Sequence, residues 1–113
     1  MEIQFSDEND RLIVRPAGRL EAADGDVFAK AVEERLGATT KQVLVDLAQL
    51  KFINFGGIRA ILRLARSLKA RDTGLAFTGA GGAVWEALDI SGIDDLFPFD
   101  RPIRGIQDAA RTP

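Results

Sequence analysis

The chain has 113 residues, with 15 Lys and Arg against 17 Asp and Glu, for a formal net charge of −2; this length sets one domain over 1–113 with a core of its own, and the weak charge gives no global field for gripping nucleic acid. Cysteine, histidine and tyrosine are absent, which excludes disulfides, thiolate nucleophiles, the usual zinc ligands, the commonest general base and a phosphohistidine relay. No apolar run reaches the length of a membrane span, and Met1-Glu2-Ile3-Gln4 has neither the basic nor the apolar region of a signal peptide, so the expectation is a cytoplasmic protein with no direct membrane insertion, no metal and no cofactor.

Ile3 and Phe5 alternate with Glu2 and Gln4, the pattern of a first strand. The polar cluster from Ser6 to Asp10 predicts a hairpin turn, and Leu12-Ile13-Val14 a second strand ended by Pro16 and Gly18. Val27, Phe28, Ala31, Val32 and Leu36 recur at helical spacing, with Asp24 or Asp26 near the start, Gly37 past the end and an acidic outer face at Glu33 and Glu34. Val43-Leu44-Val45-Asp46-Leu47, followed by Phe52-Ile53, reads as a central strand covered on both faces, because the apolar run lacks polar alternation. Asn54-Phe55-Gly56-Gly57 then reads as a tight turn whose glycines permit backbone angles closed to other residues. It opens onto a second helix with Ile58, Ile61, Leu62, Ala65 and Leu68 as its buried stripe, reaching to Arg71.

Asp72-Thr73-Gly74 stops that helix. Leu75-Ala76-Phe77 predicts a fourth strand, Val84, Trp85 and Leu88 a short third helix, Leu96-Phe97 a last short strand before Pro98, and Ile103 to Arg111 a final helix. The alternation after Leu20 predicts parallel pairing through right-handed crossovers, with the hairpin adding antiparallel neighbours. The fold class is α/β: a mixed, mostly parallel sheet of four to five strands with about four helices.

The central segment resembles the signature of the STAS family, the domain of bacterial anti-sigma-factor antagonists, in which a hydrophobic strand ending in Asp-Leu is followed by an Asp-Ser-Ser/Thr-Gly-Leu turn. Asp46-Leu47, Phe52-Ile53 and Gly57-Ile58 keep that frame, while Asn54 stands at the family's Asp and Phe55 and Gly56 at its two hydroxyl positions. Gly18-Arg19-Leu20-Glu21 is similar to the Gly-x-Leu-Asp turn before the first helix, and the stretch from Ser91 to Phe97 to the family's Gly-Leu-x-x-Leu-Phe, so the similarity runs over nearly the whole chain. The resemblance implies a single STAS-like domain that does no chemistry, binds an anti-sigma factor of the serine-kinase type and frees a sigma factor. In phosphorylated members the partner kinase modifies a serine in the signature turn. Phe55 and Gly56 have no oxygen to modify, which implies that the family's phosphorylation position is lost. The implied docking face comprises Arg19, Glu21 and Asp24 on the connection to the first helix, with Asn54, Phe55, Gly56, Gly57, Arg59 and Arg63 at the turn and the helix after it.

Each of these residues also has a plainer reading. Phe55 either anchors in a partner groove or folds onto its own core. Asn54 keeps the shape of aspartate without its charge and caps the second helix; Asp24 serves equally as an N-cap or first-turn carboxylate. Arg59, Arg63 and Arg66, at i, i+4 and i+7, form a stripe that either meets an acidic partner or is simply solvated. Thr78-Gly79-Ala80-Gly81-Gly82 is a strand-to-helix loop: the dinucleotide fingerprint requires Gly or Ala where Val84 stands, and no Gly-Lys-Ser/Thr is present. Trp85 reads as a core or rim aromatic. The resemblance leaves three further functions open: a STAS subunit of a bacterial phospholipid ABC transporter supporting an ATPase subunit, a scaffold subunit of a stress-signalling complex, and a nucleotide or small-molecule binder. The expected state is a monomer or weak homodimer.

Overall fold

The computed structural model describes residues 1–98. Strands β1 (Glu2–Glu8) and β2 (Arg11–Leu20) form an antiparallel hairpin. Asn9 and Asp10 close it, Asn9 in the left-handed region (φ +59°) that its short polar side chain tolerates. Because two residues suffice for the turn, Ser6 and Asp7 are strand, paired with Ile13 and Leu12, and the predicted hairpin turn shrinks accordingly.

Pro16 and Gly18 do not end β2. Residues 11–14 run parallel to β3 (Gln42–Asp46) and residues 18–20 parallel to β4 (Leu50–Ile53). Pro16, which has no N–H to give a ladder, falls between the two pairings. A register shift follows at Gly18 and Arg19, where Gly18 takes φ +93°. Proline and glycine thus mark a change of partner within one long strand.

The expected single central strand is therefore two, β3 and β4, separated by a turn in which the Leu50 N–H donates to the Leu47 carbonyl at 3.1 Å. Nor is β3 covered on both faces. Val43 and Val45 are buried while Leu44 and Asp46 are half-buried. The sheet runs β1-β2-β3-β5, with β5 (Gly74–Thr78) parallel to β3 and β4 beside β2. Leu12, Val14, Val43, Val45, Leu75 and Phe77 join one core with the apolar stripes of α1 (Ala22–Arg35), α2 (Phe55–Ala70) and α3 (Gly82–Ser91). On the other face the Arg15 guanidinium pairs with the Asp46 carboxylate at 3.3 Å and donates to the Ser6 hydroxyl at 3.3 Å.

In α1 the buried set is Gly25, Phe28, Ala29 and Val32, a clean i, i+3, i+4, i+7 stripe. Val27 lies off that stripe and is 64% exposed, contrary to its predicted place in the core. In α2 the buried residues include Ile58, Ile61, Leu64 and Leu68, and in α3 they are Val84, Trp85 and Leu88, so Trp85 is a core residue. These are three α-helices among the described residues, against about four expected from the pattern. The predicted strand at Leu96-Phe97 is absent. A 3-10 turn over Ile93–Asp95 takes up the backbone there, with the Leu96 N–H donating to the Ile93 carbonyl at 3.0 Å. Phe97 instead packs edge-on against Phe77, with ring centroids 5.9 Å apart. The predicted helix from Ile103 to Arg111 lies outside the described residues. No described helix is long and apolar enough to cross a membrane.

Leu64 is fully buried at the centre of the helix-facing core. Its replacement by Ala should lower the unfolding free energy by about 2–5 kcal/mol, read as a fall in urea midpoint with unchanged slope. Leu62→Ala, on the half-buried shoulder of the same helix, should cost clearly less.

Candidate functional site

Helix α2 begins at Phe55, three residues before the sequence pattern placed it. Asn54 is its N-cap, in extended conformation. Its Oδ1 accepts the Gly57 N–H at 3.0 Å, and its carbonyl accepts the Ile58 N–H at 2.9 Å. Phe55, Gly56 and Gly57 are thus the first turn of the helix and not a loop ahead of it. Neither glycine has a positive φ, so the expected need for unusual backbone angles is corrected. What the two positions require is the absence of a side chain.

A Cβ at position 56 would lie 2.5 Å from Ala22 Cα and 2.6 Å from its backbone nitrogen. One at position 57 would strike the Leu20 carbonyl oxygen and come within 2.8 Å of Ile53 Cγ1. A third close approach occurs one turn further on, where a Cβ at Gly25 of α1 would stand 2.8 Å from Ala60 Cβ of α2. The end of β2, the start of α1, the end of β4 and the start of α2 therefore meet in one tightly packed corner. The Asn54 N–H, donating to the Leu20 carbonyl at 3.4 Å, ties the two connections together.

The side chains singled out from the sequence are divided by this corner into internal and outward groups. The Arg19 guanidinium lies over the Phe52 ring at 4.0 Å and pairs with Glu21. Glu21 is the N-cap of α1, with Asp24 at the third helical position accepting the Glu21 N–H at 3.2 Å. The other candidate cap, Asp26, pairs across the helix pair with Arg63. Asn54 is half-buried by its capping bond, whereas Phe55 points out of the core and is 77% exposed. Arg59 and Arg63 follow Phe55 on successive turns, both exposed, and Arg59 has no carboxylate partner among the described residues.

One part of the surroundings was not among the sequence candidates. Beside Phe55 lies a cleft of about 270 Å³, lined by Ile53, Phe55 and Ile58 on one side and Ala87 and Ile90 of α3 on the other. Ile90 is 85% exposed. Its signal in the sequence is that Val84, Trp85 and Leu88 already account for the buried stripe of α3, which leaves Ile90 off it.

The family model for the STAS domain matches residues 1–106, and the chain belongs to the STAS family. No curated protein sequence matches the chain. Among solved structures, it is similar to a candidate anti-sigma factor antagonist from Thermotoga maritima (TM-score 0.78, 16% identity, 89% of this chain and 87% of that one). It is also similar to an anti-sigma factor antagonist from Mycobacterium paratuberculosis (TM-score 0.77, 17% identity, 89% and 86% covered). A sulfate transporter family protein from Wolinella succinogenes shares the fold as well (TM-score 0.67, 22% identity, 79% and 75% covered).

Positions 55 and 56 should respond unequally to serine. Phe55→Ser, at an exposed position, should shift stability by no more than about 0.5 kcal/mol. Gly56→Ser should destabilise by about 1–3 kcal/mol through overpacking against the Ala22 backbone, and paired thermal melts compare the two directly. At the cap, Asn54→Ala should cost about 1 kcal/mol and Asn54→Asp much less, because aspartate keeps the accepting oxygen.

Proposed function

We propose that this chain is a non-enzymatic, bacterial, cytoplasmic regulator that binds an anti-sigma factor of the serine-kinase type, freeing a sigma factor, without phosphorylation at the signature turn. The observation that carries this reading is the exposed Phe55 ring at the head of α2, in a corner where the STAS signature has a hydroxyl. Phosphate at such a position adds roughly −1.5 to −2 charge and opposes docking by repulsion and desolvation. A phenyl ring cannot receive it, so contact through Phe55 is constitutive, or is controlled wholly on the partner.

In this reading Phe55 is the anchor, Arg59 and Arg63 extend the contact along α2, and Arg19, Glu21 and Asp24 form its flank on the neighbouring connection. Asn54, Gly56 and Gly57 hold the backbone that presents the ring. The likeness in fold to anti-sigma factor antagonists supports the assignment. A second reading, a STAS subunit supporting the ATPase of a lipid-transport ABC complex, draws on the same fold in a sulfate transporter family protein; an apolar, unphosphorylated corner suits that role equally.

Titration of the purified chain with a kinase-type anti-sigma factor should give binding that persists in ATP, with intact-mass analysis showing no phosphate within residues 53–59, which contain no Ser, Thr or Tyr. Phe55→Ala should weaken that binding by about tenfold or more, as loss of a central aromatic anchor does. Binding to an ABC ATPase, with none to the kinase, would move the assignment to the second reading.

A further inference from the structure

We infer that the chain pairs with a second copy of itself across the α2–α3 cleft, Phe55 of each protomer resting on Ile90 of the other and Arg59 facing Glu86. This goes beyond the choice of signalling or transport partner and holds for either. Single exposed hydrophobes are ordinary on a protein surface, but here two of them, 77% and 85% exposed, stand on opposite sides of one apolar cleft.

The charges one turn from the two exposed apolar side chains identify the occupant. Helix α2 carries no acidic residue and α3 no basic one; next to Phe55 the cation is Arg59, since Arg63 pairs with Asp26 of α1, and next to Ile90 the anion is Glu86. Arg59 follows Phe55 by one turn, and Glu86 precedes Ile90 by one turn, so each charge lies on the same helix face as the adjacent apolar side chain. A uniformly acidic or uniformly basic partner would suit one rim and be repelled by the other.

A two-fold axis running along the cleft exchanges the rims, laying α2 of one protomer over α3 of the other. Every contact then occurs twice, as an isologous interface requires. In the inferred dimer one rotation opposes Arg59 to Glu86 and sets Phe55 on Ile90. Exposed ion pairs are weak and screened by salt, so the apolar pair supplies most of the attraction and the charges fix the orientation. The dimer is accordingly weak, and it covers the ring that a heterologous partner would use.

Sedimentation of the 12.3 kDa chain over a concentration series into the millimolar range tests this without any partner. The wild type should rise toward twice the monomer mass, less so at high salt. Phe55→Ala and Ile90→Glu should each weaken association by about tenfold or more. Arg59→Glu should weaken it by about threefold, and adding Glu86→Arg to that variant should bring it back. All of these positions are exposed, so circular dichroism should show an unchanged fold. A wild type that stays monomeric throughout, a dimer indifferent to both apolar substitutions, or a charge reversal that does not recover would each overturn the inference.

Discussion

The start of α1 rests directly on the start of α2, and the packing elsewhere in the corner follows from that approach. Two backbones come this close only where side chains are missing. Gly56 receives Ala22, Gly57 receives the Leu20 carbonyl, and Gly25 receives Ala60. The seam fixes where α1 crosses α2, and through Leu20 and Ile53 it fixes how the end of β2 lies beside β4. A larger residue at position 56 or 57 would therefore act on the junction of two strands and two helices, not on one helix alone.

The direction of Phe55 is a consequence of the same seam. In the first turn of α2, position 56 faces α1, position 57 faces the β2 and β4 ends, and Ile58 is buried in the core. With successive helical residues about 100° apart, the direction left to position 55 is outward. The exposed ring is thus imposed by its neighbours and is not an accident of one side-chain rotamer. Asn54 completes the arrangement by holding the Gly57 N–H and so setting where the helix starts.

Much of the fold was legible because periodicity reports burial. The stripe of α3, the parallel crossovers and the antiparallel hairpin can be read from spacing alone; in α2 spacing finds Ile58, Ile61 and Leu68 but puts the half-buried Leu62 and Ala65 in the stripe and misses the fully buried Leu64. The errors fell where tertiary partners, not local pattern, decide. Pro16 and Gly18 look like a strand end, yet they occupy the interval in which β2 changes from β3 to β4, which no local window shows. The run Val43–Leu47, followed by Phe52-Ile53, reads as one doubly covered strand because Leu44 breaks the alternation, and half-burial of an apolar residue leaves no trace in sequence. Helical spacing places Val27 in the core with Phe28, Ala31, Val32 and Leu36, whereas in the structure Gly25 takes that stripe because the approaching helix needs room. At the corner itself, Asn54, Phe55 and the glycines are recognisable as the STAS signature segment, but the reason for the glycines is not: a missing side chain and an unusual backbone angle are written with the same letter.

A phosphate switch at such a corner needs an oxygen to modify and space around it for the modified group. This chain lacks the first at both positions and the second at one of them. The obstruction at position 56 is the Cα and backbone nitrogen of Ala22, not its methyl group alone, so trimming residue 22 to glycine would not open the site. Room appears only if the start of α1 moves away from α2, and that movement opens the neighbouring close approach of Gly25 to Ala60. Position 55 is different, since it is exposed and tolerant, and a hydroxyl there would change the surface without disturbing the seam. The corner therefore treats its two adjacent positions differently: the seam closes position 56 to any side chain, while position 55 faces outward and is free to carry a large one.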